Sequence, residues 1–201
     1  DLDNHGWFAE THGREVADRA LVLTGAGRGF CAGADLSEFD FTPGPDMVKR
    51  ADPGPIIEQA FNPTTRRLQA MRMPVIAAVN GVAAGAGASV AMACDITIAS
   101  PQASFIQAFS KIGLIPDAGS SWLLVERLGM PRALALAMTG DKLGAAQAKE
   151  WGMIWEVADD VLAHAREVRA RAGYLPGDLR LYERMRGREI VDLFARSEER
   201  R

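Results

Sequence analysis

Two Gly/Ala-rich turns carry the most specific chemical signal in this chain. Phe30-Cys31-Ala32-Gly33-Ala34-Asp35 and Asn80-Gly81-Val82-Ala83-Ala84-Gly85-Ala86-Gly87 each follow an apolar run with the character of a buried strand. Small residues in a turn let a ligand approach the main chain closely. N–H groups offered from two separate strand ends can converge on one oxygen and stabilise an enolate or a tetrahedral oxyanion. The second turn leads into a helix predicted to begin at Ala86, whose unpaired N–H groups and positive dipole end favour developing negative charge. Ala34 N–H supplies the other donor. Asp117 lies within Leu114-Ile115-Pro116-Asp117-Ala118-Gly119. Its apolar neighbours predict desolvation, which raises a carboxyl pKa and makes a better base. The competing reading of Asp117 is an N-cap for the helix containing Trp122-Leu123-Leu124, although Ser120 and Ser121 can supply that cap instead.

Other reactive residues point to less. Thr24-Gly25-Ala26-Gly27-Arg28-Gly29 has the look of a dinucleotide loop, but the third glycine of that fingerprint would fall on Phe30. A Gly-rich exit from a strand explains it better. Cys31 has no histidine close in sequence and reads as a small residue beside the first turn. His5, His12 and His164 lack metal-ligand spacing and read as surface residues, so no metal is expected. Arg28 could meet a phosphate or simply lie in a solvated turn. The Arg and Glu residues after position 180 read as a solvated helix face.

The elements that must position the two turns follow from pattern. Ala20-Leu21-Val22-Leu23 and Pro74-Val75-Ile76-Ala77-Ala78-Val79 read as buried parallel strands, with a third at Asp95-Ile96-Thr97-Ile98-Ala99. A short strand is expected over 103–107 and a late one over Met153-Ile154-Trp155-Glu156-Val157. Residues 40–56, with four prolines and two glycines, predict a mobile loop. Helices are predicted at 57–71 (Pro63 disturbing it), 86–94, 120–128, 131–138 and 144–151. Beyond 159 the chain reads as helical, broken near 173–177, with Leu181, Met185, Ile190 and Phe194 on the last helix. Residues 1–19 show no period. Alternating strands and helices predict an α/β fold.

Composition narrows the partners. The chain has 201 residues, most simply one domain, with 48% hydrophobic and 24% charged residues and a net charge of −3. That balance gives no support to nucleic-acid or anionic-membrane binding. Two cysteines make no disulfide framework, and a reduced, cytoplasmic location is expected. No uncharged apolar run approaches the roughly 18 residues of a membrane span, and no signal peptide is visible. The start at Asp1 rather than Met predicts an incomplete N-terminus.

In order and spacing, Leu23–Leu36, Pro74–Asp95, Ile112–Gly119 and Leu143–Val157 resemble the crotonase (enoyl-CoA hydratase/isomerase) superfamily. The resemblance covers about residues 20–160. It implies a crotonase-like ββα spiral core over 1–157, and a C-terminal helical trimerisation or lid region over 158–201. It implies an acyl-CoA thioester whose carbonyl is held by the N–H groups of Ala34 and Ala86. Ala32, Asp35 and Leu36 would then lie along the CoA moiety, which is part of the substrate, so no separate cofactor is expected. A homotrimer or a dimer of trimers is implied, with no nucleic-acid or membrane partner.

Hydratases of this superfamily use two glutamates, whose matching positions here are Ser89 and Phe109. Neither can do carboxylate acid/base work. Asp117 falls where the family presents acidic side chains to the acyl group. Phe105, Phe109 and Trp122 are candidates for an apolar or aromatic acyl pocket, with core packing as the alternative. Phe109–Asp117 and Glu150–Trp155 are similar to stretches of the ring-epoxyphenylacetyl-CoA isomerases of phenylacetate catabolism, which also suggests double-bond shifts in unsaturated acyl-CoA. Two alternatives share the scaffold: an aryl-CoA dehalogenase with Asp117 as nucleophile, or a non-catalytic crotonase-fold scaffold. The N-terminal strand usual in the family is not recognisable in residues 1–19, and the C-terminal part is short.

Overall fold

Five consecutive apolar residues at Val75–Val79 form strand β4, and all five are buried. A strand with no polar face must sit inside a sheet covered on both sides. In the computed structural model, which describes residues 7–9, 20–40, 42–71 and 73–172, β4 is the central strand of a five-stranded sheet. It pairs in parallel with β2 (Leu21–Gly25) and β6 (Ile96–Ala99). β1 (Trp7–Ala9) adds antiparallel to β2, and β9 (Glu156–Val157) adds parallel to β6. The second sheet has the order β3 (Gly29–Cys31), β5 (Val82–Ala84), β7 (Ser104–Ile106), β8 (Lys142–Gly144), with only β8 antiparallel to its neighbour.

The chain passes from β2 to β3, from β4 to β5 and from β6 to β7, so the three inner strands of the larger sheet each feed one of the smaller. Helical segments return it to the larger sheet. This is the expected α/β fold with a ββα spiral. Helices α1 (Met47–Arg50), α2 (Gly54–Ile56) and α3 (Asn62–Gln69) lie in the first return, with Ile57–Phe61 wound as a π-helix between α2 and α3. The others are α4 (Ala86–Ala93), α5 (Ser120–Leu128), α6 (Met130–Thr139), α7 (Ala145–Glu150) and α8 (Val161–Arg171).

Helix α4 is buried on every side, which its Ala, Gly and Ser content permits. The Arg127 guanidinium on α5 donates to the carbonyls of Met92 at 2.6 Å and Cys94 at 2.9 Å, satisfying oxygens that the end of α4 leaves open. At the other end, a Cβ on Gly87 would collide with the Cys31 carbonyl of β3. Gly87→Ala is therefore expected to lower stability by about 1–3 kcal/mol, because backbone rather than a flexible side chain must move. Urea denaturation reads this directly, and an unchanged midpoint would contradict the packing. On the opposite face of the larger sheet, Val161 and Ala165 of α8 pack with Val22, Ile76, Ala78 and Ile98.

Several expectations are corrected. Both Gly/Ala turns begin as strands, β3 and β5, because small residues there make the second sheet as well as a binding edge. Residues 40–56 contain α1 and α2 rather than loop alone, and an Asp40–Arg50 ion pair at 2.7 Å ties part of the segment together. Pro63 sits in the first turn of α3, and the wide π turn just before it relieves the clash a proline ring makes with the carbonyl four residues back. The late strand is confined to Glu156–Val157, and β8 was missed. A strand does occur within residues 1–19, at Trp7–Ala9. The final predicted helix with Leu181, Met185, Ile190 and Phe194 lies outside the described residues.

The Gly-rich exit of β2 is closed by Asn80. Its carboxamide accepts from Gly25 N–H at 3.1 Å and donates to the carbonyls of Gly27 at 2.9 Å and Gly29 at 3.2 Å. One side chain thus ties together the turn between β2 and β3.

Candidate active site

The ends of β3 and β5 lie side by side, since these strands pair in parallel. Gly33, at φ +88°, brings the turns into contact: a Cβ there would stand 3.1 Å from the Ala84 carbonyl oxygen and 3.3 Å from the Ala86 nitrogen. The positive φ and the close approach both require glycine. Ala86 opens α4 behind Gly85, which provides no side-chain cap. Among the described residues, neither Ala34 N–H nor Ala86 N–H has an acceptor. Ala34 packs against the small apolar cluster of Phe61, Ala86 and Ala118, so both donors border one space.

Asp117 enters the same space from the loop before α5. Ala118 follows at φ +48° and Gly119 at φ +83°, so two consecutive left-handed residues turn the backbone into the helix. The Asp117 carboxylate does not cap α5; the cap residue is Gly119, with no side-chain bond from Ser120 or Ser121 either. Oδ1 of Asp117 is buried without a hydrogen-bond partner among the described residues. Burial pushes its pKa from the ordinary 3.8 up to about 6, opposed by its own backbone N–H.

A carboxyl held above its unfolded pKa binds its proton more tightly in the folded state. Its contribution to stability is full below about pH 4 and is lost as pH rises through about 6. The raised value corresponds to roughly 3 kcal/mol, which solvent screening of a half-buried group reduces to about 1–2 kcal/mol. Asp117→Asn should therefore stabilise the protein by about 1–2 kcal/mol near pH 8, with the gain fading towards pH 4. Denaturation of both proteins across that pH range measures it; a constant difference would contradict the burial of this charge.

Ala34, Ala86 and Asp117 line one cavity of about 770 Å³. Ala32 and Leu36 also line it, and Phe109, 4% exposed, forms a wall beside Gly85. Three candidates lie outside the cavity lining. Phe105 is in the main core, because its position on β7 faces Ala83 and Leu143 in the neighbouring strands. Trp122 is 59% exposed, because α5 buries the face carrying Ser120, Leu123, Leu124 and Leu128. Asp35 does not line the cavity; its carboxylate accepts from Ser37 N–H at 2.9 Å and Ser37 Oγ at 2.7 Å, capping a short 3-10 turn.

Sequence reasoning missed most of the apolar wall. Phe39, Ile56, Ile57, Phe61 and Leu114 line the cavity. Ile57 and Phe61 were visible as helically spaced apolar residues, but that spacing serves a core stripe equally well. Asp46, Lys49 and Asp52 also reach the cavity, and Asp52 Oδ1 accepts from Gly54 N–H at 2.9 Å.

Cys31 is not an activated nucleophile, since burial raises its thiol pKa, and Gly33 N–H donates to its sulfur at 3.5 Å. Arg28 is exposed and outside the cavity lining. His164 lies 3.5 Å from Glu156 and 3.6 Å from Glu167, away from the site, while His5 and His12 lie outside the described residues. Among the described residues no group of His, Cys, Asp and Glu could hold a metal ion, and no helix is long and apolar enough to cross a membrane.

The profile of the enoyl-CoA hydratase/isomerase family matches residues 11–173. A 1,2-epoxyphenylacetyl-CoA isomerase of Escherichia coli (strain K12) is 54% identical over 148 residues, 73% of this chain and 55% of that protein. A trans-2-decenoyl-acyl-carrier-protein isomerase of Streptococcus mutans is 37% identical over 139 residues, 69% of this chain and 52% of that protein. A crystal structure of an enoyl-CoA hydratase from Polaromonas sp. JS666 superposes with TM-score 0.68 at 34% identity, covering 77% of this chain and 59% of that one. The chain thus spans little more than half the length of these relatives.

Proposed function

Because this chain belongs to the enoyl-CoA hydratase/isomerase family, we propose that it is an acyl-CoA isomerase working through one carboxylate and two backbone N–H groups. The observation that carries this reading is Oδ1 of Asp117, buried and without a partner among the described residues, in the cavity lined by Ala34 and Ala86, whose N–H groups have no acceptor among those residues. The thioester oxygen accepts from both N–H groups. Asp117 takes a proton from the carbon next to the carbonyl, and the electron pair moves onto that oxygen as an enolate. The proton returns at another carbon of the conjugated system, the double bond shifts, and Asp117 is again a carboxylate. No separate cofactor is consumed.

Buried donors aimed at the developing charge are effective because they need no reorganisation during the reaction. A carboxyl near pKa 6 is ionised at neutral pH yet basic enough to take the proton. Hydration needs a second acid/base group, and the positions that would supply glutamates hold Ser89 and Phe109. Similarity to the E. coli protein favours a ring-epoxyphenylacetyl-CoA or an unsaturated acyl-CoA as substrate, and the apolar wall of Phe61, Phe109 and Ile56 is compatible with either. Trimeric assembly is proposed on the family resemblance alone.

The test is NMR of a β,γ-unsaturated acyl-CoA in deuterated buffer. Deuterium entering the substrate together with double-bond migration is the expected result. Labelled solvent oxygen appearing in Asp117 would instead indicate a covalent ester and a dehalogenase-type reaction. Binding without exchange or turnover would leave a scaffold.

A further inference from the structure

Oδ1 of Asp117 has no hydrogen-bond partner among the described residues and the carboxylate interacts with its own backbone N–H, so the direction of the side chain depends on its backbone. That backbone is tied at one atom. The Asp117 carbonyl accepts from Ser120 N–H at 2.8 Å and from the Ser89 hydroxyl at 3.3 Å. Ser89 and Ser120 are each fully buried, and their hydroxyl oxygens lie 2.5 Å apart.

Proton accounting orients the pair. Ser120 Oγ has Ser89 Oγ as its one hydrogen-bond partner among the described residues, so its proton goes to Ser89. The Ser89 proton is then free for the Asp117 carbonyl, with the Gly85 carbonyl at 3.4 Å a weaker second acceptor. Ser89 lies on α4, one turn beyond Ala86. The same hydroxyl therefore links the helix that presents an oxyanion donor to the loop that presents the base. Ala118, in a left-handed conformation unfavourable for alanine, lies between the tied carbonyl and α5 and packs on Ala86.

We propose that the buried Ser89–Ser120 hydroxyl pair positions Asp117, setting the separation between the carboxylate and the Ala86 N–H. The effect on catalysis rests on the isomerase reading above; the effect on the carboxylate does not.

The experiment compares Ser89→Ala, Ser120→Ala and the double variant with wild type. Misplacing a reacting group by about 1 Å can cost about 10²-fold. Each single variant is expected to lose about 10- to 100-fold in kcat with KM nearly unchanged, and the double variant to be no worse than the poorer single, since the two hydroxyls act as one unit. Ser89→Cys, which keeps the volume but donates weakly, should fall on the same side and serves if an alanine variant does not fold. Carboxyl 13C NMR of the free proteins supplies a readout independent of turnover. Freed towards water, Asp117 should titrate below the value of about 6 that burial imposes. The other ionisable groups at the cavity, Asp46, Lys49 and Asp52, are unchanged in these variants. Wild-type kcat and an unmoved titration in folded variants would overturn the proposal, as would a loss confined to the yield of folded protein. A wild type that never exchanges substrate would sink the isomerase reading, while the titration would still decide the role of the serines.

Discussion

Asp117→Asn is expected to abolish proton exchange and double-bond migration, lowering kcat by about 10³-fold, within the range that a positioned acid or base contributes. Three features make the expected loss this large. The family's glutamate positions are Ser89 and Phe109, so no second carboxylate stands ready there. Asp46 and Asp52 reach the cavity from the 46–52 segment, but Asp52 is already engaged with Gly54 N–H. Oδ1 of Asp117 has no hydrogen-bond partner among the described residues for the amide to lose, so the fold is expected to survive the exchange. The wild-type rate should rise with pH through about 6 and then level, because the base must be ionised to take a proton. Stopped or coupled assays across that range, with acyl-CoA affinity measured in parallel, separate lost chemistry from lost binding. Near-wild-type turnover by the Asn protein would remove Asp117 from the mechanism.

Ala86→Pro is the second large effect. It deletes one backbone N–H, which side-chain replacement cannot do. Ala86 is the first residue of α4, where proline is well tolerated. Gly85 precedes it at φ 52° and ψ −127°, near the mirror image of the extended conformation favoured before proline, and glycine accepts that mirror image. Loss of one oxyanion donor typically costs about 2.7–4 kcal/mol, or about 10²–10³-fold in kcat. The ring carbon that replaces the hydrogen also intrudes on the oxygen site, so the loss should not be smaller. Circular dichroism would establish that α4 persists. A folded variant with unimpaired kcat would show that the thioester oxygen does not rest on Ala86.

How much of the site was legible depends on what each residue's role rests on. Ala34, Ala86 and Gly33 could be read because backbone chemistry needs small residues in tight turns, and composition records that directly. Asp117 could be read because it falls where the resembled family presents an acidic side chain, with the apolar Leu114, Ile115, Pro116 and Ala118 beside it as support. Phe105 and Trp122 were misread because an aromatic side chain says nothing of the direction in which it points. On β7 the pairing with Ala83 and Leu143 placed one in the core, and on α5 the helical phase turned the other outward. Strands β3, β5 and β8, three residues each, were too short to show a period.

By itself the sequence determined the α/β alternation, the buried strands, the all-buried helix α4 and the identity of the candidate donors and base. These follow from local properties: apolar runs, side-chain size and backbone freedom. Tertiary structure alone decided that the two turns touch, that the 45–57 segment supplies part of the apolar wall, and that Asp35 spends its carboxylate on a turn. It also decided that Ser89, Ser120 and the Asp117 carbonyl meet across 31 positions of chain. Such contacts depend on how non-neighbouring strands pair and how helices return over them, and no local pattern encodes a distance between segments that meet only in the folded chain.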